Sequence, residues 1–383
     1  MRLAIALLLL TVLPSLAAEP ANIIEALQAR LDSGQAKLAF ADDGHGYLKS
    51  VLAALDVPQD SQLLTFTRSS LQFDKISPQH PRALYFRDDL AVGAVHQGEV
   101  LEFIVNDKSG APAFYTMDVK KTDKPRFEVE GNRCLSCHGM VNRYAPGWIV
   151  ANITAIADGT PQFLDPAKPF DITEQKTDFQ DRWGGWYVTG THGAMRHRGN
   201  VWAEDPLRPF ELPENKGLNV TDLSDKFDLR QTLKPSSDIV ALMTLEHETG
   251  FSNRIAALNA RYPVSSPAEM DKAMDELVAY MTFLDEAPLP APVKGTSGFT
   301  ESFPRAGPRD AKGRSLRDFD LQQRLFRYPL SYMVYSTSFA SLNPAAKTHL
   351  WQKLHDALLK RPGGDVAIAI LAATKSDLPD TWK

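Results

Sequence analysis

Apolar side chains recur at intervals of three and four between residues 22 and 55, where Ile23, Ile24, Leu27 and Leu31 form one stripe and Gly34 is a stop signal. This spacing predicts helix. From Gln62 the period shortens to two. Leu64, Phe66, Leu71 and Phe73 bracket polar positions, and residues 83–86 and 91–95 read as strands. Residues 100–105, the turn Asn106-Asp107-Lys108-Ser109-Gly110 and residues 113–117 carry the signature of a hairpin, which 148–156, Asp158-Gly159 and 162–164 repeat. One antiparallel sheet over residues 62–164 is expected, interrupted by an irregular segment at 131–147.

Beyond Pro169 the pattern turns helical. The clearest helix covers 237–261, with Ser236, Ser237 and Asp238 as N-cap candidates, and a second follows Pro267. Residues 287–314 are dense in Pro and Gly and read as a long surface connection. A last helical region spans 315–374, broken near Pro329 and Pro344. The expected fold class is α+β, with a β-rich N-terminal half and a mainly α-helical C-terminal half. The chain divides into 1–18, 19–165, 166–286, 287–314 and 315–383.

Residues 1–18 read as a signal peptide. Arg2 is a one-charge head, residues 3–13 are apolar, and small residues near Ala17 and Ala18 suit cleavage. The apolar run is too short for a transmembrane helix. The mature chain is therefore expected to be exported, periplasmic and without a membrane span. The 383 residues are 43% hydrophobic, enough for a large core, and the net charge of −5 argues against a nucleic-acid binder that relies on a basic face.

Two cysteines exclude a disulfide scaffold, and both fall in Cys134-Leu135-Ser136-Cys137-His138. This C-x-x-C-H string is the attachment signature of haem c. Two thiols three residues apart reach the two vinyl groups of one porphyrin, and the adjacent imidazole meets the iron. A thioredoxin-like dithiol would open a helix in a βαβ pattern, which is absent, and a zinc site would want a fourth ligand at motif spacing.

Over Cys134 to His138 the chain resembles c-type cytochromes, which implies one covalent haem with Cys134 and Cys137 as attachment points and His138 as an iron ligand. The resemblance does not extend to the small all-α cytochrome fold, because a long strand-patterned region precedes the motif. Residues 182–193 and 319–336 resemble segments of exported bacterial proteins with a single haem motif.

For the sixth iron position, residues 182–200 offer His192, Met195 and His197 among glycines, tryptophans and the arginines Arg196 and Arg198. Glycines let the backbone approach a flat cofactor, and arginines suit haem propionates. His192 is the preferred ligand, since Gly190 and Gly193 flank it and the apolar run Trp186-Tyr187-Val188 delivers it to the interior. His197, between two arginines, suits the propionate edge. His247 lies on the apolar face of the 237–261 helix, where a satisfied core histidine is the commoner role. Met140 is too near His138 in sequence to cross to the opposite face. His45, His80, His96, His349 and His355 are read as surface or structural. Electron transfer with a redox partner protein, or with a small-molecule donor or acceptor, needs only the motif. A peroxidase-like enzyme or a haem-based sensor would also need an open iron.

Overall fold

The computed structural model describes residues 19–139, 141, 144–162, 171–208, 210–262 and 264–382. The signal segment 1–18, Met140 and the last two residues of the second expected hairpin lie outside them.

The described chain opens with two helices, α1 (Ile23–Asp32) and α2 (Leu48–Ala54), and the expected stop at Gly34 falls just after the first. Asn22 caps α1 by accepting the N–H groups of Ile24 and Glu25 through its side chain. Gly34, Gly44 and Gly46 all take positive φ between the helices, which breaks the helical path. A meander follows: β1 (Leu63–Thr65), β2 (Arg82–Arg87), β3 (Leu90–Val95), β4 (Val100–Asn106), β5 (Pro112–Asp118) and β6 (Phe127–Glu130). The β4–β5 hairpin forms where expected. Asp107 accepts the N–H groups of Ser109 and Ala111, and Gly110 turns the chain at φ +80°.

Two expectations of the sheet are corrected. Leu71 and Phe73 do not extend β1, because the chain leaves the sheet after Thr65 and Phe73 opens a single 3₁₀ turn. The residues after Trp148 form only short two-residue ribbons apart from the main sheet. A strand from later in the chain, β7 (Trp186–Tyr187), instead pairs antiparallel with β1 and completes seven strands in the order β7-β1-β2-β3-β4-β5-β6.

Alternation along the strands gives the sheet two apolar faces. Tyr85, Val92, Phe103, Tyr115 and Met117 face α1 and α2 in one core. Phe86 and Ala91 face the helical half in the other. The architecture is α+β, with a β-rich N-terminal half and a helical C-terminal half. No described helix is long and apolar enough to cross a membrane.

The helical half is built on α4 (Ile239–Arg261), with α5 (Pro267–Met281), α6 (Phe299–Arg305), α7 (Thr337–Ala340), α8 (Pro344–Leu358) and α9 (Gly364–Thr374). The Pro/Gly-rich stretch 287–314 is not simply a surface connection. It contains α6, and its Leu289, Val293, Phe299 and Phe303 are buried, with Phe303 stacked on Phe319. Apolar content here outweighs turn-forming composition.

Fully buried Asp238 starts α4. One carboxylate oxygen accepts the N–H groups of Val240 and Ala241, and the other accepts those of Thr296 and Ser297 at 2.7 Å each. Asp238→Ala should lower unfolding stability by about 3 kcal/mol or more, since it removes a cap and leaves buried donors unpaired. Asp238→Asn should recover only part of this, because its amide would meet two N–H donors. Urea denaturation of both variants checks the order.

Candidate functional site

Helix α3 (Asn132–His138) follows β6 directly and carries the whole motif. Positions i, i+3 and i+4 lie on one side of a helix, so Cys134, Cys137 and His138 share a side. The junction is tied to the sheet: Thr116 Oγ1 on β5 donates to Glu130 at 3.0 Å, and Arg133 of α3 pairs with the same carboxylate.

His138 is set by its surroundings. Its ring lies 4.8 Å from that of Phe114 on β5. Its Nδ1 is 2.7 Å from the Gly147 carbonyl oxygen, and the Gly147 N–H donates back to the His138 carbonyl at 2.9 Å. A carbonyl only accepts, so the proton sits on Nδ1 and Nε2 keeps a lone pair. Among the described residues Nε2 has no hydrogen-bond partner. Burial lowers the proton affinity of the ring, and the Gly147 bond opposes this in part. The result is a neutral imidazole with one oriented free nitrogen, the form in which histidine binds a metal.

The clamp on His138 is itself held. Trp148 N–H donates to Asn253 Oδ1 of α4 at 2.7 Å, Asn253 Nδ2 returns a bond to the Trp148 carbonyl, and the Trp148 indole donates to Asn106 Oδ1 at 2.8 Å. A Cβ at Gly147 would stand 2.5 Å from Asn253 Oδ1, so only glycine fits beside this amide.

Both thiols are free, Cys134 half-buried and Cys137 exposed. Burial pushes the Cys134 thiol up to about 11, with the Glu130 and Glu102 carboxylates adding to it. Thiolate chemistry needs the opposite shift, so this cysteine is poorly suited to dithiol exchange or nucleophilic attack. Among the described residues no three His, Cys, Asp or Glu side chains gather to hold a metal ion. Two thiols and an imidazole on one side of a helix are the donor types that the C-x-x-C-H signature calls for.

The glycine-rich segment folds elsewhere. His192 and His197 are buried with ring centroids 4.8 Å apart, beside Phe179, and Trp183 lies 5.3 Å from His197. His192 Nε2 accepts the Asn219 N–H, and His197 Nδ1 accepts the Gly199 N–H. Trp183 bonds Glu246 of α4, whereas the His138 clamp reaches α4 at Asn253. Seven residues of helix separate these two levels by roughly 10 Å. The structure joins His192 to His197. Met195 is buried in the same segment. Arg196 pairs with Glu214, and Arg198 bonds Thr154.

His247 is a satisfied core histidine. Its Nδ1 lies 2.6 Å from Gln175 Oε1 and its Nε2 2.7 Å from Ser331 Oγ, and its ring stacks on Tyr280. The residues that sequence reasoning missed are Phe114, Gly147, Trp148 and Asn253. Gly147-Trp148 stands close after the motif, but nothing in one sequence ties it to Asn253.

Comparison with family models, curated proteins and solved structures finds no match for this chain.

Burial depresses His247 to about 3, far below the unfolded value of about 6.5. The unfolded chain then binds a proton that the folded chain refuses, so this stability is present above pH 6.5 and lost as pH falls towards 3. His247→Gln should flatten the acid limb of the stability–pH curve by up to about 1.4 kcal/mol per pH unit in that window. Chemical denaturation of both proteins from pH 7 to pH 4 measures the difference.

Proposed function

We propose that this chain is an exported, periplasmic c-type cytochrome with one haem attached covalently through Cys134 and Cys137 and ligated by His138, exchanging electrons with a redox partner. The observation that carries the reading is the 2.7 Å bond from His138 Nδ1 to the Gly147 carbonyl. It fixes the tautomer and leaves Nε2 for a metal, as the outer partner of a ligating histidine does. Haem, when bound, supplies one-electron chemistry at iron.

The chain's own residues do the rest. Phe114 and Gly147 hold the imidazole plane, Asn253 and Asn106 hold Trp148 and so Gly147, and Glu130 fixes the helix that presents the thiols. Cys137 and Leu135 are exposed, which supports attachment at the molecular surface. A cofactor edge at the surface suits exchange with another protein better than chemistry on an enclosed substrate, and this ranks electron transfer above peroxidase-like catalysis or sensing.

The full chain, exported in a host that attaches haem c, should carry haem that resists acid-acetone extraction. The Cys134→Ser/Cys137→Ser double variant should lose it. Haem retained by the double variant overturns the reading. His138→Ala should change the iron spectrum even where the thioethers survive. A low-spin haem turned high-spin by His192→Ala would place that residue on the iron, and an unchanged spectrum would remove it from the site.

A further inference from the structure

We propose that the Arg82–Glu102 ion pair, lying on the sheet face beneath the motif, sets the reduction potential of iron held by His138, with Arg82 raising it and Glu102 lowering it. This rests on the function proposed above.

The sheet register puts the participants on one face. Glu102 on β4 stands opposite Thr116 on β5, and Ile104 opposite Phe114, which stands opposite Glu130 on β6. Arg82 of β2 reaches across β3 to pair with Glu102, and the two side chains are only 17% and 11% exposed. Gly93 of β3 makes this possible, since a Cβ there would stand 2.3 Å from Arg82 Nη2. From Glu102 a polar row leads to the motif: Thr116 lies opposite, donates to Glu130, and Glu130 holds Arg133 of α3. Phe114, next on the same face, carries the His138 ring.

Arg82 Nε is buried without a hydrogen-bond partner among the described residues, and Glu102 is also contacted by Gln72. Charges held out of water are weakly screened and act over several ångströms. A cation near the iron disfavours the more positive ferric form, and a carboxylate favours it. Removing one partner of the pair leaves the other charge unpaired on this face, so the two single variants change the local charge in opposite senses.

Mediated redox titration of the full-length, haem-loaded protein tests this with Arg82→Gln, Glu102→Gln, the double variant, and Lys353→Gln as a remote control at the ion pairs with Asp271 and Asp275. Arg82→Gln should move the exchange equilibrium towards ferric iron by about three- to tenfold, the size expected of one poorly screened charge. Tenfold corresponds to 59 mV for one electron. Glu102→Gln should move it the other way, and the double variant should return close to wild type. A loss of packing alone would not give opposite signs. If Arg82→Gln fails to fold, Glu102→Gln decides by its sign, since it keeps an amide for Arg82 and Gln72. Shifts in one direction for both variants, or none beyond that of Lys353→Gln, overturn the inference while leaving the proposed function intact. A wild type without covalent haem overturns both.

Discussion

Every residue of α4 from Ile239 to Asn253 is buried, and this enclosure constrains the rest of the molecule. A helix so placed must have its polar side chains answered from inside. Glu246 is met by Arg182 and Trp183, His247 by Gln175 and Ser331, and Glu248 by Tyr332. These partners come from residues 175–183 and 331–332, so ordering one helix orders two distant segments. At one end Asp238 ties α4 to the Thr296–Ser297 backbone. Further along, Asn253 ties it to Trp148 and hence to the clamp on His138. The candidate site is thus a late link in a chain of polar contacts that begins in the core.

Local chemistry was legible where periodicity and punctuation agree. The β4–β5 hairpin and the Asp238 cap are written in neighbouring residues. Long-range pairing was not. Trp186 and Tyr187 have strand-like chemistry, but nothing nearby says that their partner is β1, more than a hundred residues earlier. Phe299 and Phe303 sat in a stretch dominated by Pro and Gly, and only the aromatic cluster with Phe319 and Phe326 explains why that stretch turns inward.

The site divides in the same way. Cys134, Cys137 and His138 are adjacent in sequence, so their shared helix side follows from spacing alone. What orients the imidazole comes from β5, from residue 147 and from α4, and only the fold assembles it. At residues 182–200 the residue types suit a haem pocket, and the fold packs His192 beside His197 and Phe179.

The pairing of β7 with β1 also bears on the order of assembly. Strands β1 to β6 follow one another along the chain and can meet by local steps, whereas β7 arrives only after more than fifty further residues. Contacts between distant segments form late, because closing a long loop costs entropy before any contact repays it. The motif lies between the last strand of the meander and the strand that completes the sheet. A chain emerging from its N-terminus therefore presents both thiols and the imidazole while the β1 edge still lacks its outer neighbour.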